Sequence, residues 1–246
     1  MNNLRALYRL FYFALYTLYK SAQIVVSNLV LGTDVRRSIR IRQSWARTLL
    51  PHLGVRVHIL GTPPKFPCIV ACNHRSYLDP PLMAHDINGY GVAKAEVANW
   101  PVIGWGARVA GVLFLRRESQ QSRKTTLQGI ADKVKEGYPI ILFVEGTTHA
   151  GPTTLDFKPG AFKLAAQQDI AIVPAALEFA SPEDYWVGDD TFLPHLWRRL
   201  QTRYKDAYVS YGPVLRNSDA DALLRDAKNW IDAELLRLQK GFGRGL

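Results

Sequence analysis

Apolar and polar positions along the chain show two textures that meet near Gly54. Residues 4–31 contain no acid, proline or glycine. One stripe runs through Phe11, Leu15, Leu18, Ala22, Val25 and Leu29. The opposite stripe runs through Arg5, Arg9, Tyr12, Tyr16, Lys20, Gln23 and Ser27. Steps of three and four residues in both stripes predict one long amphipathic helix. A second helix is predicted over 36–50, where Arg36, Arg37, Arg40, Arg42 and Arg47 sit among Ile39, Ile41, Trp45, Leu49 and Leu50.

Past Gly54, short β-rich runs at 55–60, 68–72, 111–115, 140–144, 170–177 and 207–211 alternate with helical patterns. A helix is predicted over 119–136, with Leu127, Ile130, Ala131 and Val134 inward and Gly137 at its end. Another is predicted over 218–239, with Leu223, Ala227, Trp230, Ile231, Leu235 and Leu238 on one face. This alternation predicts an α/β fold, a central mixed sheet flanked by helices. An N-terminal amphipathic two-helix membrane-binding segment precedes it. The boundary at Pro51–Gly54 divides the chain into a membrane-association segment, 1–53, and an α/β domain, 54–246.

Composition narrows the class. The 246 residues are 48% hydrophobic and 21% charged, which suits a globular chain and excludes a disordered or fibrous one. Cys68 and Cys72 are the only cysteines and read as reduced thiols in a strand. No histidine pair has zinc-ligand spacing, so no metal site is expected.

The net charge of +10 is concentrated in one region: residues 1–78 hold 11 Lys/Arg and one acid, Asp34. Interleaving with long apolar stripes favours a membrane surface over nucleic acid, and no nucleic-acid partner is expected. Residues 10–31 would reach roughly 33 Å, enough for a hydrocarbon core of about 30 Å. Lys20 would then lie near the midplane at a cost of about 3 kcal/mol. A helix lying in the interface keeps Lys20 wet, with tyrosines as anchors, and is the expected arrangement. Lys20 after the apolar run, with no small-residue cleavage site following, argues against a cleaved signal peptide.

Candidate chemistry follows the strand at 68–72, which runs into Asn73, His74, Arg75, Ser76, Tyr77, Leu78, Asp79 and Pro80. An Asp bonded to one imidazole nitrogen fixes the tautomer and leaves the other nitrogen as a base. Pro80 is expected to keep Asp79 out of the helical region. Three more segments carry candidate chemistry. Gly111–Arg117 delivers Arg116 and Arg117 at a strand end, suited to bidentate phosphate binding. Phe143–Thr148 ends a strand in Glu145, Gly146, Thr147 and Thr148, and Ile172-Val173-Pro174 lies on a later strand.

In this order the four blocks resemble the signature of the glycerolipid acyltransferase family, which includes 1-acyl-glycerol-3-phosphate acyltransferases. The resemblance covers residues 68–174. It implies that His74 is the general base on the acceptor hydroxyl and Asp79 its orienting partner. The hydroxyl would attack an acyl thioester directly, with no covalent acyl-enzyme. It also implies acceptor binding by Arg117, with Arg116 beside it, and by Glu145, Gly146 and Thr147. Lys94, followed by Trp100-Pro101, resembles a family lysine facing the same phosphate. The co-substrate would be acyl-CoA or acyl carrier protein, with no further cofactor.

The third block continues Thr148-His149, where phosphatidic-acid-forming members often carry Arg-Ser. The acceptor expected first is 1-acyl-glycerol-3-phosphate. Lyso-ornithine lipid, a lysophosphatidylcholine-like lipid and glycerol-3-phosphate are the alternatives. The expected partners are membrane lipids, and the expected place is the cytoplasmic face of a membrane, the inner membrane in a bacterium. A rival reading from another class is a non-catalytic peripheral membrane protein. A serine hydrolase lacks its G-x-S-x-G, and nucleotide binding lacks a phosphate loop.

Overall fold

Short, near-continuously buried strands build one sheet with two covered faces. The computed structural model describes residues 2–100, 102–115 and 120–243, apart from the side chains of Gln120 and Arg123. Strands β1 (Val55–Leu60), β2 (Ile69–Cys72), β3 (Tyr90–Lys94), β4 (Val112–Leu115), β5 (Ile140–Phe143), β6 (Ile172–Phe179) and β7 (Lys205–Tyr211) lie in the order β1-β7-β6-β2-β5-β3-β4. Among the described residues, β6 and β7 pair antiparallel and the other neighbouring strands run parallel. On β2, Val70 and Cys72 join one core cluster while Ile69 and Ala71 join the other. A strand buried on both faces reads as a continuous apolar run. Pro174, with no N–H to donate, precedes the stretch where β7 begins to pair with β6 at Ala175.

Among the described residues, eight α-helices surround this sheet: α1 (Asn2–Leu31), α2 (Val35–His52), α3 (Asp79–Asp86), α4 (Ile103–Val109), α5 (Gln120–Lys135), α6 (Gly160–Gln168), α7 (Phe192–Gln201) and α8 (Ala220–Gly241). Ile130 and Ala131 of α5, Phe162 of α6, and Leu223, Ala227, Ile231 and Leu235 of α8 share one core. Leu49 and Leu50 of α2, Leu82 and Met83 of α3, and Leu196 and Leu200 of α7 share the core on the opposite face.

The structure corrects the expectation for Asp79, which is the first residue of α3. Pro80 and Pro81 occupy its first turn, where a missing N–H costs nothing. The bias that a proline imposes on its predecessor is outweighed there by three bonds to the Asp79 carboxylate. Strand β3 and helices α3, α4, α6 and α7 have no counterpart among the sequence-predicted elements. Most are short; α3 and α6 begin beside a proline, and α7 carries Pro194 in its first turn.

Helix α1 packs with its polar side inward. Ala6, Arg9, Thr17, Ser21 and Ile24 are buried. The predicted apolar stripe faces away, with Phe11 60% and Leu29 80% exposed. Arg9 is drawn in because its guanidinium donates to the carbonyls of Leu200, Thr202 and Arg203 at the end of α7. Arg5 donates to the carbonyl of Gln201. These carbonyls have no partner within the helix, and cations suit that end of its dipole. The arginines of α2 are used in a similar way. Arg42, expected on a basic surface, is buried and donates to the carbonyls of Gly89, Ala110 and Gly111. Arg37 holds the end of α1 through Ser27, Asn28 and Gly32. Among the described residues no helix is long and apolar enough to cross a membrane.

Candidate active site

The carboxyl ends of β2 and β5 bring His74, Asp79 and Glu145 together, the usual location for a site in such sheets. At the end of β2, the Asn73 amide donates to the carbonyl of Leu177 and accepts from its N–H, at 2.9 and 2.7 Å. This pins the strand end to β6. His74 follows, and its Nδ1 lies 2.7 Å from Asp79 Oδ2. The same carboxylate oxygen accepts from the amides of Arg75 at 2.5 Å and Ser76 at 2.8 Å. Asp79 is fully buried while the His74 side chain is 20% exposed.

Further contacts hold His74. Its N–H donates to Glu145 Oε1 at 2.8 Å, and its carbonyl accepts from His149 N–H at 2.9 Å. Its ring stacks on Phe143, with centroids 4.3 Å apart and planes 22° from parallel. A carboxylate can only accept, so Nδ1 is the donor and Nε2 carries the free lone pair. Nε2 makes no hydrogen bond among the described residues. The result is a fixed, part-exposed imidazole with its basic nitrogen free.

Glu145, Gly146 and Thr147 form the turn after β5. Glu145 is buried, and its second oxygen accepts from Leu155 N–H at 2.8 Å. Burial pushes its carboxyl pKa up, opposed by the two main-chain amides. Both oxygens therefore brace the backbone. Gly146 has a φ of +78°, in the region that favours glycine, and Thr147 is exposed. Lys94 is exposed at the end of β3 and pairs in register with Leu115 of β4. Arg116 and Arg117 lie outside the described residues. No group of His, Cys, Asp and Glu able to hold a metal occurs among the described residues.

An aromatic wall borders the loop, and sequence reasoning missed it. Tyr77 meets Trp186, Phe192 and His195 edge-on, with centroids 5.9, 5.1 and 5.5 Å away. Trp100 joins through Phe192 at 5.1 Å. The Tyr77 hydroxyl and His195 Nδ1 share a hydrogen bond of 3.0 Å. Burial raises the tyrosine pKa and lowers that of His195, which keeps both neutral. These residues lie far apart in the chain, so no spacing signal joins them. Asn73 and Phe143, by contrast, directly flank motif residues and were open to inspection.

Comparisons with known proteins bear on the family and the fold. A lyso-ornithine lipid O-acyltransferase of Pseudomonas aeruginosa is 32% identical over 167 residues, covering 66% of this chain and 64% of the relative. One from Rhodobacter capsulatus is 33% identical, covering 68% and 64%. The chain thus spans just under two thirds of the length of these two relatives. A 1-acyl-sn-glycerol-3-phosphate acyltransferase of Chlamydomonas reinhardtii is 30% identical, covering 62% and 48%. The crystal structure of the 1-acyl-sn-glycerophosphate acyltransferase PlsC from Thermotoga maritima superposes with a TM-score of 0.74 at 18% identity. It covers 97% of this chain and 96% of that one, which shows a shared fold. Residues 54–178 match the model of the family described as Acyltransferase. With half of its length inside that match, the chain belongs to the acyltransferase family.

Proposed function

We propose that the chain transfers a fatty acyl group from an acyl thioester to the free hydroxyl of a lysolipid. The observation that carries this reading is the His74–Asp79 pair, joined at 2.7 Å with Nε2 free. Nε2 takes the proton of the acceptor hydroxyl as the oxygen attacks the thioester carbonyl. The C–S bond breaks, and the leaving thiolate takes that proton back from the imidazolium. Asp79 stabilises the imidazolium between these steps. A positioned general base contributes about 10²–10⁴-fold in rate. The donor carrier is coenzyme A or acyl carrier protein.

Lys94, Arg116, Arg117, Gly146 and Thr147 are assigned to the acceptor's polar head. Glu145 acts on the acceptor through the turn it braces. Thr148 leaves the third block without the arginine often found there, which would cost a phosphomonoester a contact worth about 1.5–3 kcal/mol. That departure, and relatives named as lyso-ornithine lipid acyltransferases, make a lyso-ornithine lipid the acceptor to test beside 1-acyl-glycerol-3-phosphate.

Residues 1–53 are assigned to membrane association and 54–246 to the catalytic domain. The outward apolar face of α1 supports this: an amphipathic helix with one side docked and the other exposed and apolar suits the bilayer interface. The basic N-terminal third suits the anionic cytoplasmic leaflet.

The test is thiol release from acyl-CoA and acyl carrier protein by the full chain. The acceptors are lysophosphatidic acid, lyso-ornithine lipid, lysophosphatidylcholine and glycerol-3-phosphate. Release that depends on one acceptor supports the reading and names the substrate. Release without any acceptor indicates a thioesterase. Silence with every pair supports a non-catalytic membrane protein.

A further inference from the structure

Arg75 sits inside the His74–Asp79 loop, yet none of the proposed chemistry uses its side chain. Among the described residues it is the largest fully buried side chain, at 1% exposure. Nη2 pairs with Glu178 Oε2 at 3.2 Å, and Nη1 donates to the carbonyls of His149 at 2.8 Å and Gly151 at 2.7 Å. The guanidinium also packs 5.2 Å from the Tyr185 ring centre. Glu178, on β6, accepts in turn from the Tyr185 hydroxyl and from Gln239 Nε2 of α8 at 2.8 Å.

A buried ion pair is a weak source of stability, because desolvation offsets the attraction. What this one provides is position. Its main-chain N–H holds Asp79, and its carbonyl accepts from Trp186 N–H at 2.9 Å. Its guanidinium grips two carbonyls of the loop after Glu145, the loop whose His149 N–H holds the His74 carbonyl. That loop carries exposed Thr147 and half-buried Thr148 and His149 and is tied to the His74 backbone. Lysine lacks the planar fork needed to reach two carbonyls and a carboxylate together.

We propose that Arg75, seated on Glu178, is a positioning residue for the acceptor, setting the Thr147–Gly151 loop against His74. This rests on the acyl-transfer reading above. The test uses the full chain, with Arg75→Lys and the neutral double variant Arg75→Met with Glu178→Gln. The double variant removes both charges, so no unpaired ion is left to unfold it. In both, the acceptor KM is expected to rise about tenfold or more, with kcat and the donor KM changed less than about threefold. A wild-type acceptor KM in a folded variant overturns the proposal. So does a proportional fall of kcat and both affinities, which marks general loosening. Hydrogen exchange is the second measurement. Amides 147–151 should exchange faster in Arg75→Lys while β2, β5 and β6 stay protected, and unchanged loop exchange also overturns it. If wild type transfers to no acceptor, the acyl-transfer reading falls, and exchange still decides whether Arg75 fixes the loop.

Discussion

The guanidinium of Arg9 fills the space that a β-carbon at Gly54 would occupy. A Cβ built on Gly54 lies 2.1 Å from Arg9 Nη2 and 2.6 Å from the Arg203 carbonyl, and the backbone there has a φ of +77°. The glycine between α2 and β1 is therefore what lets α1 dock on the end of α7. Gly54→Ala and Arg9→Met should each loosen α1. Each should cost about 1.5–3 kcal/mol, the worth of hydrogen bonds to a charged donor. Because both act on one contact, the double variant should cost clearly less than the two single effects together. Denaturant unfolding with exchange of residues 2–31 checks this, and additive effects would contradict it.

The outward stripe of α1 gives a second prediction. Phe11→Asp with Leu15→Asp places charge on an exposed face, where the two side chains are 60% and 63% accessible. Folding stability should change by less than about 0.5 kcal/mol. Co-sedimentation with anionic vesicles should fall steeply. Undiminished vesicle binding would move the membrane contact elsewhere.

Glu145→Gln tests the brace. Glutamine can accept from one of the two amides, but its NH2 then faces the other N–H. A buried donor left unsatisfied costs about 1–3 kcal/mol. The unfolding midpoint should fall, and kcat should fall with it, because the His74 backbone loses an anchor. Wild-type stability and turnover together would remove Glu145 from this task.

Lys205 carries a pH signature. It is buried at the start of β7, with Nζ donating to the carbonyls of Leu53 and Arg199 at 2.8 and 3.0 Å. Burial, aided by nearby Arg9, pushes its pKa from 10.5 down to about 7. Above pH 7 the unfolded chain therefore holds this proton while the folded chain releases it. Unfolding free energy should rise from about pH 7 to about pH 10.5, between the folded and unfolded values, by at most about 1.4 kcal/mol per pH unit. Lys205→Met should flatten that rise, and a slope shared by both chains would contradict the assignment.

Much of the fold was legible because core strands are near-continuous apolar runs, as in Ile69–Cys72 and Ile140–Phe143. The His74–Asp79 contact was legible because both residues lie in one short loop after such a strand. What stayed hidden depends on partners distant in the chain. Periodicity marks the stripes of α1 but not which stripe docks, and Arg9 chooses its side through carbonyls nearly two hundred residues away. Arg42 reads as a surface charge until Gly89 and Ala110 are brought beside it. Glu145 reads as a free acid until its two amide partners are in place. The aromatic wall around Tyr77 draws on residues 100, 186, 192 and 195, which no local pattern connects.

The most direct test of the mechanism is kcat/KM for acceptor-dependent thiol release in His74→Ala, measured with its unfolding midpoint. His74 is part exposed and its ring only stacks and bonds locally, so the variant should stay folded. Turnover should drop by about 10²–10⁴-fold or more, the contribution of a positioned general base. A folded His74→Ala protein that transfers acyl groups at the wild-type rate would contradict the account.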